Sequence, residues 1–255
     1  MVSARLFGGV PETYLAVHNA FDMSKAALGD MRHRAALHSV DHGLAVMRLI
    51  FPDRIGKTSL EELCVQHVHD DQGFSVRLDD WLRECDSELP SIARRAPRKL
   101  EAFLEAPEEA AAQRWGGYPE DYAAICAYFG LPETVSDHPL APAVSHNAFG
   151  VYFSEMAFGS VISVSGPGQR PRYVSVRDIG ETLALARFGH LKSLGDVLAS
   201  MKRRNWMTGS RVARSRARRC RAAQRSDLFS EDSDGLKTSQ SAGETCDALR
   251  DLLAD

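Results

Sequence analysis

The chain has 255 residues, 44% hydrophobic and 25% charged, which suits a soluble protein with one large or two small domains. No apolar run approaches the ~20 residues of a membrane span, and the N-terminus lacks the basic-then-apolar shape of a secretory signal, so the expected compartment is the cytoplasm. The net charge of −3 hides an asymmetry: residues 202–225 hold ten Lys or Arg and no acid, leaving 21 Lys and Arg against 34 Asp and Glu elsewhere.

Taken in chain order, Gly8-Gly9 gives a flexible lead-in and Pro11 suits a first helical position, predicting a helix from Pro11 to about Leu28. On it His18 and Asp22 lie one turn apart at the border of the apolar stripe, and Lys25 is placed to pair with Asp22. Met31–Phe51 reads as a second helix, ended by Pro52. His33, Ala36, Leu37, Val40, Leu44 and Met47 share its apolar side, so His33 is expected to point inward. Arg34, His38, Asp41 and His42 share another face, and His38, Asp41 and His42 on its polar side are expected to be exposed. Ser59 to Glu62 has the form of a capping box and Gly73 is a natural stop, predicting a third helix over 60–72 with His67 and Asp71 one turn apart. A short helix over Asp79–Glu84 closes this unit.

A proline-interrupted stretch follows, with a helix expected around 97–105. Further on, VISVSGPGQRPRYVSV alternates around Gly166-Pro167-Gly168, a hairpin signal for which the first half has only PDRIGKT. Beyond the basic run, Ser226–Glu244 is rich in Ser, Asp and Gly and is expected to be disordered, and CDALRDLLAD is a short amphipathic pattern.

FGGVPETYLAVHNAFD, Phe7 to Asp22, returns as WGGYPEDYAAICAYFG, Trp115 to Gly130, with the Gly pair, Pro-Glu, the Tyr, an Ala and the Phe repeated. At the same offset His38 meets His146, and after small indels QGFSVRLDDWL (72–82) aligns with FGHLKSLGDVL (188–198). The expected organisation is therefore copy one over 1–87, a linker over 88–112, copy two over 113–201, and a basic segment with a flexible tail over 202–255. The fold class is mainly α: two tandem, divergent helical units, the second with a β-hairpin, packed as a pseudo-two-fold pair.

The pattern FGG-PE-YL-H--FD, Arg32-His33-Arg34-Ala35 with His38, Gln66-His67 with Asp71 and Gly73, and in the second half HNAFGVYFSEMAFG followed by VSVRDIGE, resembles a bacterial and phage-associated family, domain of unknown function 6915. The resemblance covers most of 5–84 and 114–201. It implies two copies of one unit and no particular activity.

Chemistry enters through His18, Asp22, His33, His67 and Asp71, which three helices would bring to one interior point. In the second copy these become Cys126, Gly130, Ala141, Leu183 and Arg187, so the five are lost together, as members of one buried polar network would be. Imidazole nitrogens and carboxylates at one-turn spacing are common ligands for zinc, iron or manganese, so one divalent ion is a candidate cofactor. The same residues also fit a structural network holding the helices in register, or metal-free acid–base catalysis. His69-Asp70 is read as a solvated helix end. No glycine-rich phosphate loop, serine nucleophile elbow or Cys/His catalytic pairing is found.

Five cysteines, Cys64, Cys85, Cys126, Cys220 and Cys246, are odd in number and lack Cys-x-x-Cys spacing, so they read as reduced thiols. The basic run offers Lys202, Arg203, Arg204, Arg211, Arg214, Arg216, Arg218, Arg219, Arg221 and Arg225 to a nucleic-acid backbone, without sequence preference. The alternatives are a solvated tail, or a segment that docks on the chain's own acidic body.

Overall fold

A computed structural model describes residues 2–86, 98–166 and 170–208. The first half opens with α1, Val2–Phe7, and α2, Glu12–Asp22, which tightens into a 3₁₀ turn over Met23–Ala26. Gly8 and Gly9 join them with φ of 76° and 82°, angles that favour glycine, and the Tyr14 hydroxyl donates to Gly8 O at 2.8 Å.

The single helix expected over 31–51 is broken. A 3₁₀ turn at Met31–His33 leads into α3, Arg34–Leu37, and the chain reverses at His38 before α4, His42–Arg48. The absence of a side chain at Gly43 makes the reversal possible. A Cβ on Gly43 would lie 1.9 Å from Leu37 O, so the two helices meet backbone to backbone, and Ser39 Oγ accepts from Gly43 N at 3.0 Å to close the turn. The first half also carries a hairpin of its own, β1 (Arg54–Ile55) against β2 (Thr58–Ser59), where the alternation was too short to predict one.

The capping-box helix is α5, Leu60–Gln72, with Ser59 and Glu62 in reciprocal bonds and Gly73 left-handed at its end. α6 spans Leu78–Leu82. After 98 come a 3₁₀ turn (Arg98–Leu100), α7 (Ala102–Glu105) and α8 (Pro107–Trp115), then a 3₁₀ turn at Pro119–Asp121 and α9 (Ala123–Val135). The chain continues through α10 (Ala141–Ser145), α11 (Ala148–Phe158), the strands β3 (Val161–Val164) and β4 (Arg172–Ser175), α12 (Val176–Phe188) and α13 (Leu194–Val197). Residues 167–169 at the tip of the second hairpin lie outside the described residues, as do 87–97 and everything after 208, including the expected tail.

Local geometry recurs between the halves. Tyr122 OH donates to Gly116 O as Tyr14 does to Gly8. His146 has φ −83°, ψ 56° where His38 has −85°, 61°, and a Cβ on Gly150 would strike Ser145 O at 1.7 Å. Val40 N donates to Val76 O and Ala148 N to Lys192 O, both at 2.8 Å.

Four-residue helices such as α3, α7 and α13 fall well short of the ~12–15 residues an isolated helix needs, so packing holds them. One continuous core runs through both halves, with Phe21, Leu37, Met47, Leu63 and Trp81 from the first and Tyr122, Phe129, Phe153 and Ile179 from the second. α4 packs on α9 and α3 on α10, and Ser136 Oγ donates to Asp79 at 2.5 Å across the junction.

The packed body was expected to close at Met201. Instead Met207 is fully buried, Trp206 rests on Trp81 with ring centroids 4.8 Å apart, and Arg34 donates to Met207 O at 3.2 Å. Residues 202–207 are a strap across the first half.

Candidate metal centre

The end of α2 supplies Asp22, α5 supplies His67 and Asp71, and the turn after α3 supplies His38. One ligand atom from each converges, all four within 4.8 Å of one another. His38 Nε2 lies 3.2 Å from His67 Nε2, 3.2 Å from Asp71 Oδ2 and 3.3 Å from Asp22 Oδ1, while His67 Nε2 lies 3.9 Å from Asp22 Oδ1. Nitrogen and oxygen donors ~2.0–2.2 Å from one ion stand ~3.0–3.6 Å from their neighbours around it, so most of these spacings are those of a first coordination sphere.

The hydrogen-bond accounting points the same way. His38 Nε2 can carry at most one proton, yet three acceptors surround that atom. Its contact with His67 has hydrogen-bond geometry, but Asp22 Oδ1 and Asp71 Oδ2 are buried atoms with no hydrogen-bond partner. Lys25 Nζ is 2.7 Å from Asp22 Oδ1 and Arg34 is 3.2 Å from Asp71 Oδ2, as ion pairs off the hydrogen-bonding angles.

Protonation suits a cation. Burial drives the His67 pKa down, helped by His38 and His18, and this outweighs the carboxylates, so the ring is neutral. Burial pushes the Asp22 carboxyl up, but the contacts from His38 and Lys25 hold it well below the usual range. Asp71 is likewise lowered, burial being outweighed by His38 and Arg34. Bare imidazole nitrogen and ionised carboxylate are the forms a metal takes. Phe21, fully buried, stacks on the His67 ring at 4.7 Å and meets His38 edge-on at 5.7 Å, giving the centre an apolar wall. The carboxylate side chains reach solvent in part: Asp22 is 36% exposed and Asp71 26%, against 0% for His38.

Of the five residues predicted, Asp22, His67 and Asp71 are in the converging set. His18 is not, but stands behind it with Nδ1 2.6 Å from His67 Nδ1. His33 is buried as expected, yet its Nδ1 is taken by Asp30 O at 2.6 Å and its ring meets His38 edge-on at 5.5 Å, so it borders the set without joining it. The expectation that His38 and His42 are exposed is overturned, because breaking the helix at Leu37 turns both inward. His38 is thus the member that helical periodicity missed, although its recurrence as His146 was a usable signal. Asp41 caps α4 and pairs with Arg77. His69 Nε2 meets Ser75 Oγ at 2.8 Å at the exposed helix end.

A family profile described as domain of unknown function (6915) matches residues 1–89 and 106–207. The chain belongs to that family. The two matched segments are the two arrays of helices with a hairpin described above. No curated protein and no solved structure matches this chain. In the second 6915 segment His146 keeps the His38 backbone, but its Nδ1 rests on Pro142 O at 2.8 Å, between Phe129 and Phe188. Gly130, Leu183 and Arg187 stand where the first segment has Asp22, His67 and Asp71, so the second offers no matching donors.

Of the predicted nucleic-acid residues, three are described, and all three touch the chain's own acids. Lys202 pairs with Asp86 at 3.0 Å, Arg203 with Asp30 at 3.1 Å and Arg204 with Glu84 at 2.7 Å. Arg211, Arg214, Arg216, Arg218, Arg219, Arg221 and Arg225 lie outside the described residues. Cys64, Cys85 and Cys126 are buried free thiols, their pKa values pushed up by burial to about 12, 11 and 12. No helix among the described residues is long and apolar enough to cross a membrane.

Proposed function

We propose that the first half of this chain binds one divalent transition-metal ion through His38, His67, Asp22 and Asp71, and that the second half is a structural partner without a site. The observation that carries this reading is the convergence of three acceptors on His38 Nε2, two of them buried carboxylate oxygens without a hydrogen-bond partner. A mixed nitrogen and oxygen set of this kind suits zinc, manganese, iron or cobalt better than magnesium or calcium, which take oxygen alone. The oxygens that would hold the ion, Asp22 Oδ1 and Asp71 Oδ2, are buried, while the remainder of each carboxylate side chain reaches solvent. An ion held there with a free coordination position would act as a Lewis acid or activate a water.

The test is elemental analysis of untagged protein together with cobalt titration followed by visible absorption. One ion per chain, with ligand-field bands lost in His38→Gln, supports the reading. No stoichiometric metal and no cobalt bands would leave the histidines as structural residues of a non-enzymatic protein.

A further inference from the structure

Behind the converging set runs a chain of hydrogen bonds whose direction can be read from its two ends. The Gln66 amide nitrogen donates to Asp70, which fixes its carbonyl oxygen toward Ser3. Ser3 Oγ donates its single proton to Gln66 Oε1 at 2.5 Å. Toward His18 Nε2, 2.7 Å away, Ser3 can then only accept, so His18 carries its proton on Nε2. A ring that ligates through Nε2 carries its own proton on Nδ1, and His67 turns Nε2 toward His38 and Asp22, so in its contact with His18 Nδ1, 2.6 Å away, it is His67 that donates and His18 that accepts.

We propose that Ser3 and His18 are positioning residues that hold His67 in the Nδ1–H form and so present its Nε2 lone pair to the ion. The inference rests on the metal reading above and adds to it two residues outside the ligand set. The assignment is physically economical. Metal-bound histidines are generally oriented by a hydrogen bond from their other ring nitrogen, and here that bond passes through an imidazole, a hydroxyl and an amide to a carboxylate. Ser3 is fully buried on α1, with Gln66 and His67 adjacent on α5, so the N-terminal helix docks against the centre through this contact.

The decisive measurement is made first on wild-type protein without metal, by long-range ¹H–¹⁵N correlation of the imidazoles. The expected result is His67 as Nδ1–H and His18 as Nε2–H. Cobalt affinity is then compared between wild type and Ser3→Ala, which should bind at least ~10-fold more weakly, within the ~10–100-fold that loss of such a partner costs. Ser3→Ala should also lose the single His18 tautomer. Wild-type His67 as Nε2–H overturns the proposal, and so does Ser3→Ala binding cobalt as tightly as wild type. Failure of the wild-type chain itself to bind cobalt overturns the metal reading beneath it, and is recognisable because no variant is involved.

Discussion

His38 Nε2 stands 3.2 Å from His67 Nε2, although the two residues are 29 positions apart and sit on different elements. Imidazole nitrogens brought this close share a proton or share an ion. Removing either ring should therefore cost more than an outer residue does. His38→Gln, His67→Gln and Asp71→Asn are expected to lower cobalt or zinc affinity by well over the ~10–100-fold of an outer-shell change. His69→Ala, at the exposed helix end, should leave it unchanged. Competition titration against a chelator of known affinity checks the order.

The turn that delivers His38 makes a separate prediction about stability. Gly43→Ala forces a Cβ to within 1.9 Å of Leu37 O, a backbone atom that cannot swing aside, and should destabilise by on the order of 3 kcal/mol. Gly150→Ala meets the same obstacle at 1.7 Å. Gly130→Ala on α9 meets nothing within 4 Å and should stabilise by about 0.5–1 kcal/mol. Urea midpoints of the three variants test the contrast.

Acid should weaken the fold through two buried histidines away from the converging set. Burial lowers both His42 and His146 to about 4. The unfolded chain, with imidazoles near ~6.5, takes up these protons first as pH falls. Their contribution is thus complete above ~6.5 and is lost between there and about 4, each group supplying up to ~1.4 kcal/mol per pH unit. Urea midpoints should drop clearly from pH 7 to pH 4.5, and a flat profile over that range would contradict neutral burial.

The strap bears on the nucleic-acid reading. A chain ending at Thr208 should keep full stability. One ending at Met201 should lose some, because Met207 and the Trp206 contact with Trp81 go with it. With Lys202, Arg203 and Arg204 already paired to acids, at most seven cations of the run are free for phosphate. Any duplex affinity of the full chain should fall with salt at a log–log slope no steeper than about −6, and vanish on truncation at 208. A steeper slope would mean that the strap lets go on binding.

Much of this architecture was legible because it rests on local signals. The Ser59–Glu62 capping box, the Gly73 stop and the Asp22–Lys25 pair are set by residues within one turn of each other. What escaped was set by contacts distant in sequence or by sterics that periodicity does not see. Helical spacing carried straight through Leu37 to Arg48, because nothing in it registers that Gly43 must touch Leu37 O. With the helix unbroken, His38 fell on the wrong face, and the candidate set took His33 in its place. The two-residue strands at Arg54–Ile55 and Thr58–Ser59 are too short to show alternation.

The matched backbone at His38 and His146 gives the molecule a built-in reference. Both residues share nearly the same backbone angles, yet one ring meets carboxylates and the other lies between Phe129 and Phe188. In a metal titration watched through the imidazole resonances, the His38 signal should move while that of its twin stays still, so a response specific to the ion can be told from a general drift of the protein within a single sample.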